Sequence, residues 1–389
     1  MKIVIACDSF KGSLTAPQAC GIIAEAVRAA CPAADVICLP LADGGEGTAD
    51  VLLSVLHGQR IACPGICGPL PDMRLTAAFG WVPGTALAIV ESAAACGLPL
   101  LTPQQRDPLR TTTRGVGELL AAAVTKGARQ IFLALGGSAT VDGGTGAARA
   151  LGWRFLDAAG ADVPEGGGAL SLIRRIVPPV APLTLPPITV LCDVRNPLCG
   201  AQGAARIFGP QKGATPAMVE TLDNGLRHLA DLLPSAAGLD VSELPGAGAA
   251  GGFGGGAVAF FGARLVPGIE AIAAACRFED AARGADWIIT GEGCFDAQSL
   301  QGKVVSGVRD VAGRTGARVA VLAGRVRLSQ TAWRRAGFSA VAAAVTGDVD
   351  DREAFAQARP RLATAARRFL AGRQFSDRGR GRPTKATPC

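Results

Sequence analysis

Short apolar runs alternate with amphipathic stretches at both ends of this chain. Residues 2–7 form a β-branched run, read as a buried strand, that stops at Asp8-Ser9-Phe10-Lys11-Gly12-Ser13. Behind it, Thr15-Ala16-Pro17-Gln18 fits a helix start, with a threonine cap, a proline in the first turn and a reciprocating glutamine. Ile22, Ile23, Ala26, Val27 and Ala30 then share one helical face. Residues 36–39 predict the next strand and residues 49–56 the next helix. Strand, loop and helix in repetition predict a parallel, doubly wound sheet.

The same pattern returns late. Trp287-Ile288-Ile289 predicts a strand, residues 304–315 a helix, 319–322 and 338–345 two strands, and 354–370 one closing amphipathic helix. The two ends therefore predict a single discontinuous domain, residues 1–68 with 285–372, and residues 69–284 an inserted α/β domain. Within the insert, residues 87–91, 130–135 and 188–193 read as strands, and 112–125, 145–151 and 216–233 as helices. Prolines at 178–187 mark a connector, and the glycine run 246–256 reads as a loop.

Composition narrows the class. A chain of 389 residues is long enough for about two cores. With 49% hydrophobic and 18% charged residues it is not a wholly disordered chain. The net charge of +7 would suggest nucleic acid, but residues 373–389 supply +4 of it and read as a disordered basic tail. Aromatic residues are only 5% and tyrosine is absent, so no stacking platform for single strands is evident and no nucleic-acid partner is expected. The twelve cysteines are scattered and only two histidines are present, His57 and His228, which argues against a zinc site, and residues 1–6 run into a strand with no signal-peptide stretch, so the cytoplasm and reduced thiols are expected. The longest uncharged stretch, residues 245–263, carries eight glycines, so no membrane span is predicted.

The candidate chemistry sits in loops that follow strands. Asp8, Ser9 and Lys11 place a carboxylate, a hydroxyl and an ammonium at the end of the first. Asp43-Gly44-Gly45-Glu46 offers paired carboxylates for Mg²⁺, a substrate hydroxyl or a proton, or alternatively a helix cap. Gly136-Gly137-Ser138-Ala139-Thr140-Val141-Asp142 resembles an anion cradle, with Asp142 read as metal ligand, base or cap; no Walker A motif occurs. Gly246, Gly248 and Gly251 match Gly-x-Gly-x-x-Gly without a preceding strand, which reads as a loop over a nucleotide or a tight turn. Asp193 and Asn196 follow another strand, Lys212 lies in a further loop, and Glu292, Asp296, Gln298 and Lys303 gather near the end. Three glycine-acidic loops suggest a phosphate-handling enzyme that works through carboxylates, lysines and a metal. No histidine stands in a glycine-rich loop to serve a Ser-His-Asp triad.

Seven blocks in order carry a resemblance: DSFKGSL at 8–14, LADGGEGT at 41–48, GGSATVDGG at 136–144, CDVRNPL at 192–198, FGPQKGA at 208–214, GAGAAGG at 246–252 and GEGCFDAQSLQGK at 291–303. Together they resemble the bacterial class I glycerate kinases over nearly the whole chain except the tail. The resemblance implies ATP-dependent phosphorylation of D-glycerate to 2-phosphoglycerate or 3-phosphoglycerate with Mg²⁺. It also implies two α/β domains, one doubly wound and Rossmann- or flavodoxin-like, with the active site in the cleft. On this reading Lys11, Lys303, Asp193 and Asp142 serve catalysis. Asp8, Ser9, Asp43, Gly44, Gly45, Glu46, Asn196, Glu292, Asp296 and Gln298 serve the substrate, with Asp43 and Glu292 also on the metal. Gly136, Gly137, Ser138, Thr140, Lys212, Gly246, Gly248 and Gly251 serve the nucleotide. Two departures stand out: Val141 where the family usually has asparagine, and Cys294 where it usually has arginine. A kinase for another small hydroxy acid or sugar acid, and a non-catalytic binder on a kinase scaffold, are the alternatives. The sequence leaves the oligomeric state open.

Overall fold

The computed structural model describes residues 1–45, 47–347 and 349–372, so the expectations for Glu46 and for the tail 373–389 fall outside the described residues. The chain opens with strands β1 (Lys2–Ile5), β2 (Asp35–Cys38), β3 (Gln59–Cys67), β4 (Arg74–Val82) and β5 (Leu87–Glu91). Next come β6 (Gln130–Ala134), β7 (Arg154–Leu156), β8 (Arg175–Val177), β9 (Ile188–Leu191) and β10 (Arg264–Val266). The last are β11 (Trp287–Thr290), β12 (Cys294–Phe295), β13 (Arg318–Ala323), β14 (Arg325–Val326) and β15 (Ala340–Ala343). The described residues divide into two compact units, Met1–Pro40 with Glu279–Gln301 and residues 305–372, and Leu41–Phe278 with Gly302–Val304.

In the first unit five parallel strands lie in the order β15-β13-β11-β1-β2. Ile3, Val4 and Ile5 of β1 and Ile288 and Ile289 of β11 are fully buried, as central strands covered on both faces should be. The helix Ala16–Ala30 starts with the expected capping box on Thr15 and Gln18. It packs Ala19, Cys20, Ile23 and Val27 with Ile3 and Ile5, and with Leu362, Ala366 and Leu370 of the helix Ala358–Ala371. The closing amphipathic stretch is two helices rather than one: Asp350 caps Asp351–Ala356, and Pro360, with no N–H to donate, falls in the first turn of Ala358–Ala371. The chain leaves β1 toward β2 on one side and β11 toward β13 on the other, so the switch point of the sheet lies between β1 and β11. Ligands of open α/β sheets bind at the carboxyl ends of the strands flanking such a point.

The second unit has a six-stranded sheet in the order β10-β9-β6-β5-β4-β3. The first four are mutually parallel, and β4 and β3 complete the sheet antiparallel. The predicted domain boundary at residue 68 falls instead at residue 40, because β3 pairs with β4 and the helix Thr48–Leu56 packs on β4 and β5. The hairpin was hidden in the sequence by Pro64-Gly65, which interrupts β3 at a bulge between Cys63 and Ile66. Proline is tolerated there because β3 is an edge strand. The glycine run also differs from expectation: it forms the helix Ala249–Phe261, with left-handed residues at Ala250–Gly252. Gly251 has φ +72°, and a Cβ there would collide with the Thr140 carbonyl oxygen. Close packing against residues 140–144, rather than mobility, is what these glycines serve. Among the described residues no helix is long and apolar enough to cross a membrane, and no disulfide is present.

Candidate active site

At the carboxyl edge of the first unit, β1 and β11 end side by side, and the Asp8 N–H donates to the Gly291 carbonyl at 2.9 Å. Asp8 is buried and its Oδ1 accepts the Ser9 N–H at 2.7 Å. The Phe10 N–H donates to the Leu14 carbonyl and turns the chain back, which leaves Lys11 exposed on the turn. After β11, Glu292 is buried, and the carbonyls of Glu292 and Gly293 accept the N–H groups of Gly324 and Arg325, each at 2.9 Å. These bonds fix the second loop beside the first. Asp296 accepts the Gln298 N–H at 2.9 Å and so caps its own turn, with Gln298 exposed. Cys294 is half-buried, and that burial raises its thiol pKa.

The second unit carries a carboxylate pair. Asp193 follows β9 and its Oδ1 accepts the N–H of Gly268, which follows β10, at 2.8 Å. Asp43 Oδ1 accepts the Gly45 N–H at 3.0 Å, and its turn lies directly on Gly268, where a Cβ would collide with the Asp43 carbonyl oxygen. Asp193 is exposed on one side, yet protein crowds its carboxyl. That loss of hydration first, then the like charges of Asp43 and Glu270, push its pKa from 3.8 up to about 7, against the pull of the Gly268 N–H and Lys303. Lys303, half-buried, packs with this unit. A carboxyl raised in the folded state holds its proton more tightly than in the unfolded chain between pH 3.8 and about 7. Stability therefore falls as pH rises through that window. Asp193→Asn keeps the acceptor for Gly268 and removes the charge. Its melting temperature relative to the parent is expected to increase from pH 4 to pH 8; calorimetry showing a constant difference would contradict this.

Between β9 and β5, the loop after β6 holds the glycine-rich segment. Gly137 is exposed with φ +76°, and Ser138 is 6% exposed. Lys212, 3% exposed, donates to Ser138 Oγ at 3.0 Å and to the Thr140 carbonyl at 2.8 Å. Asp142 departs from its predicted catalytic part. It is fully buried, and accepts from the Thr113 N–H and Oγ1 at 2.8 Å, Gly144 N–H at 3.0 Å and Gly146 N–H at 3.2 Å. A carboxylate so enclosed ties the loop together and has no face for a substrate. Asp142→Ala is expected to cost at least about 3 kcal/mol, because three backbone N–H groups lose their acceptor at about 1–3 kcal/mol each; a lowered urea midpoint would register it.

Other predicted residues are likewise internal. Gly246 and Gly248 are buried, and the Gly248 N–H donates to the Asn196 carbonyl at 3.0 Å. The Asn196 side chain donates to the Gln202 carbonyl at 2.8 Å. Val141 belongs to the core of this unit with no exposed surface, so that departure removes no surface contact. Glu91, which no motif singles out, ends β5 and accepts the Ala49 N–H at 3.2 Å. It caps the helix Thr48–Leu56, whose own cap position, Gly47, has no side chain. No local signal marks Glu91, since its partner is 42 residues away.

Glycine-acidic loops at the carboxyl edges of parallel strands, with Asp193 after β9 and an anion-type loop after its neighbour β6, fit the class of α/β phosphotransferases. The model of the glycerate kinase family matches residues 3–373, so the chain belongs to that family, whose members phosphorylate an alcohol group. The chain is 42% identical to glycerate 2-kinase of Escherichia coli over 95% of its length and 97% of the relative's. It is 41% identical to a glycerate kinase of Bacillus subtilis over 95% and 97%. A crystal structure from Salmonella typhimurium LT2, provisionally designated glycerate kinase 2, matches with a TM-score of 0.85 at 40% identity, covering 95% of this chain and 97% of that one.

Proposed function

We propose that the protein transfers the γ-phosphoryl group of ATP to the 2-hydroxyl of D-glycerate with Mg²⁺, giving 2-phosphoglycerate. The observation that carries this reading is the adjacency of β9 and β6. Loops leaving the carboxyl ends of neighbouring strands start about 4.8 Å apart. One edge thus offers a carboxylate for an acceptor hydroxyl beside a glycine loop for donor phosphates. Asp193, whose pKa lies near neutrality, takes the proton of the glycerate hydroxyl; that oxygen bonds to the γ-phosphorus as the bond to ADP breaks. Lys303 neutralises charge next to Asp193. In the first unit, Lys11 is assigned to an anionic group of the ligands, and Asp8, Ser9 and Glu292 to substrate hydroxyls.

Among the described residues no three metal-binding side chains converge. Mg²⁺ needs no such cage, since it keeps waters and takes one or two carboxylates plus phosphate oxygens. Half-buried Asp43, beside Asp193, fits a phosphate-borne ion of this kind. When bound, Mg²⁺ screens the phosphate charge. The 2-hydroxyl is favoured by the name of the Escherichia coli relative, glycerate 2-kinase.

Incubation with ATP, Mg²⁺ and D-glycerate followed by phosphorus NMR tests this. A phosphoester doublet is expected, from coupling to the single proton on C2; a triplet would move the product to 3-phosphoglycerate. Folded protein that ignores D-glycerate but phosphorylates tartronate or lactate would replace the substrate assignment.

A further inference from the structure

The ammonium of Lys212 is nearly sealed from solvent, and among the described residues it has no ion pair within 4.0 Å. Burying a charge costs several kcal/mol unless a counter-charge meets it. The groups that favour its charged form are Cys96, a thiol that burial keeps protonated, and Asp142, whose two oxygens are already taken by Thr113, Gly144 and Gly146. Asp142 therefore gives the ammonium no direct hydrogen bond, and Lys212 holds the turn at Gly136-Gly137-Ser138 through Ser138 Oγ and the Thr140 carbonyl. An ammonium has donors and no acceptor, so at the 3.0 Å bond Ser138 Oγ must accept. The single O–H hydrogen of Ser138 is then directed away from Lys212. Gly137, next to it, is exposed, so the turn can be reached from solvent.

We propose that Lys212 is a positioning residue for a nucleotide phosphate: by donating to Ser138 Oγ it makes that hydroxyl a donor to a phosphate oxygen seated on the Gly136-Gly137-Ser138 turn. The inference rests on the kinase reading, and changes the part given to Lys212, which acts through Ser138 and does not touch the nucleotide. The phosphate supplies the acceptor lone pair that the Ser138 hydroxyl hydrogen needs. Deprotonation of Lys212 would undo the arrangement, since a neutral amine can accept from Ser138 and turn the hydroxyl inward. Burial lowers the Lys212 pKa to about 8, so the reversal falls in an accessible range. The other titratable groups facing Lys212 are Cys96, pushed up to about 12 by burial, and Asp142.

The test is the Kd for ATP with Mg²⁺, by calorimetry from pH 7 to pH 9.5, for the parent, Lys212→Met and Ser138→Ala. At pH 7 each variant is expected to bind at least tenfold more weakly than the parent. The double variant should lose no more than threefold beyond the weaker single one, since both remove the same contact. Parent affinity should fall as pH rises through about 8, and Ser138→Ala should lack that fall, which separates the lysine–serine bond from Cys96 and Asp142. If Lys212→Met does not fold, Ser138→Ala and the pH profile decide. ATP binding by the parent with an unchanged Kd in Ser138→Ala, or a pH profile shared by both, overturns the assignment of Lys212 alone. No ATP binding by a folded parent overturns it together with the kinase reading.

Discussion

Asp193→Asn is expected to lower kcat/KM for glycerate phosphorylation by about 10²–10⁴-fold, the range supplied by a positioned general base. The substitution is nearly isosteric, and its amide oxygen can still accept the Gly268 N–H that Asp193 accepts at 2.8 Å. Loop geometry should therefore survive, and the loss should report the missing proton acceptor. The parent should gain kcat/KM as pH rises through about 7, where the carboxyl ionises, and the variant should lack that limb. A variant within tenfold of the parent at pH 8 would remove Asp193 from the chemistry and leave Lys303 and Asp43 as charge-setting groups around an unassisted hydroxyl.

Lys11→Met is expected to cut kcat/KM at least about a hundredfold, equivalent to roughly 2.7 kcal/mol of transition-state stabilisation. Lys11 is exposed on its turn, so little packing is at stake. A surface substitution of this kind ordinarily changes stability by no more than about 0.5 kcal/mol. An unchanged melting temperature with a large kinetic loss would place its ammonium on a ligand anion; near-parental kinetics would free it from the mechanism.

Much of the scaffold could be read directly from the chain. Short β-branched runs gave β1, β9 and β11, since strands buried on both faces need continuous apolar residues. Thr15 and Gln18 marked the helix start, because capping is settled within four residues. The seven ordered blocks also carried the family. Signals failed where a partner is distant. Pro64 and Gly65 disguised β3 until pairing with β4 showed them to be an edge bulge. Residues 246–256 have a loop's composition, yet close packing against residues 140–144 makes them a helix start.

The candidate site divides along the same line. By itself the sequence determined which residues carry charge and which loops follow strands, because residue type and spacing are local properties. Only the tertiary structure decided which of those charges face solvent. It buried Asp142 among four donors, turned Lys212 inward onto Ser138 and Thr140, and left Asp193 beside Asp43 with a pKa near neutrality. Those outcomes depend on desolvation and on neighbours from other strands and loops, and neither quantity exists until the sheet has formed.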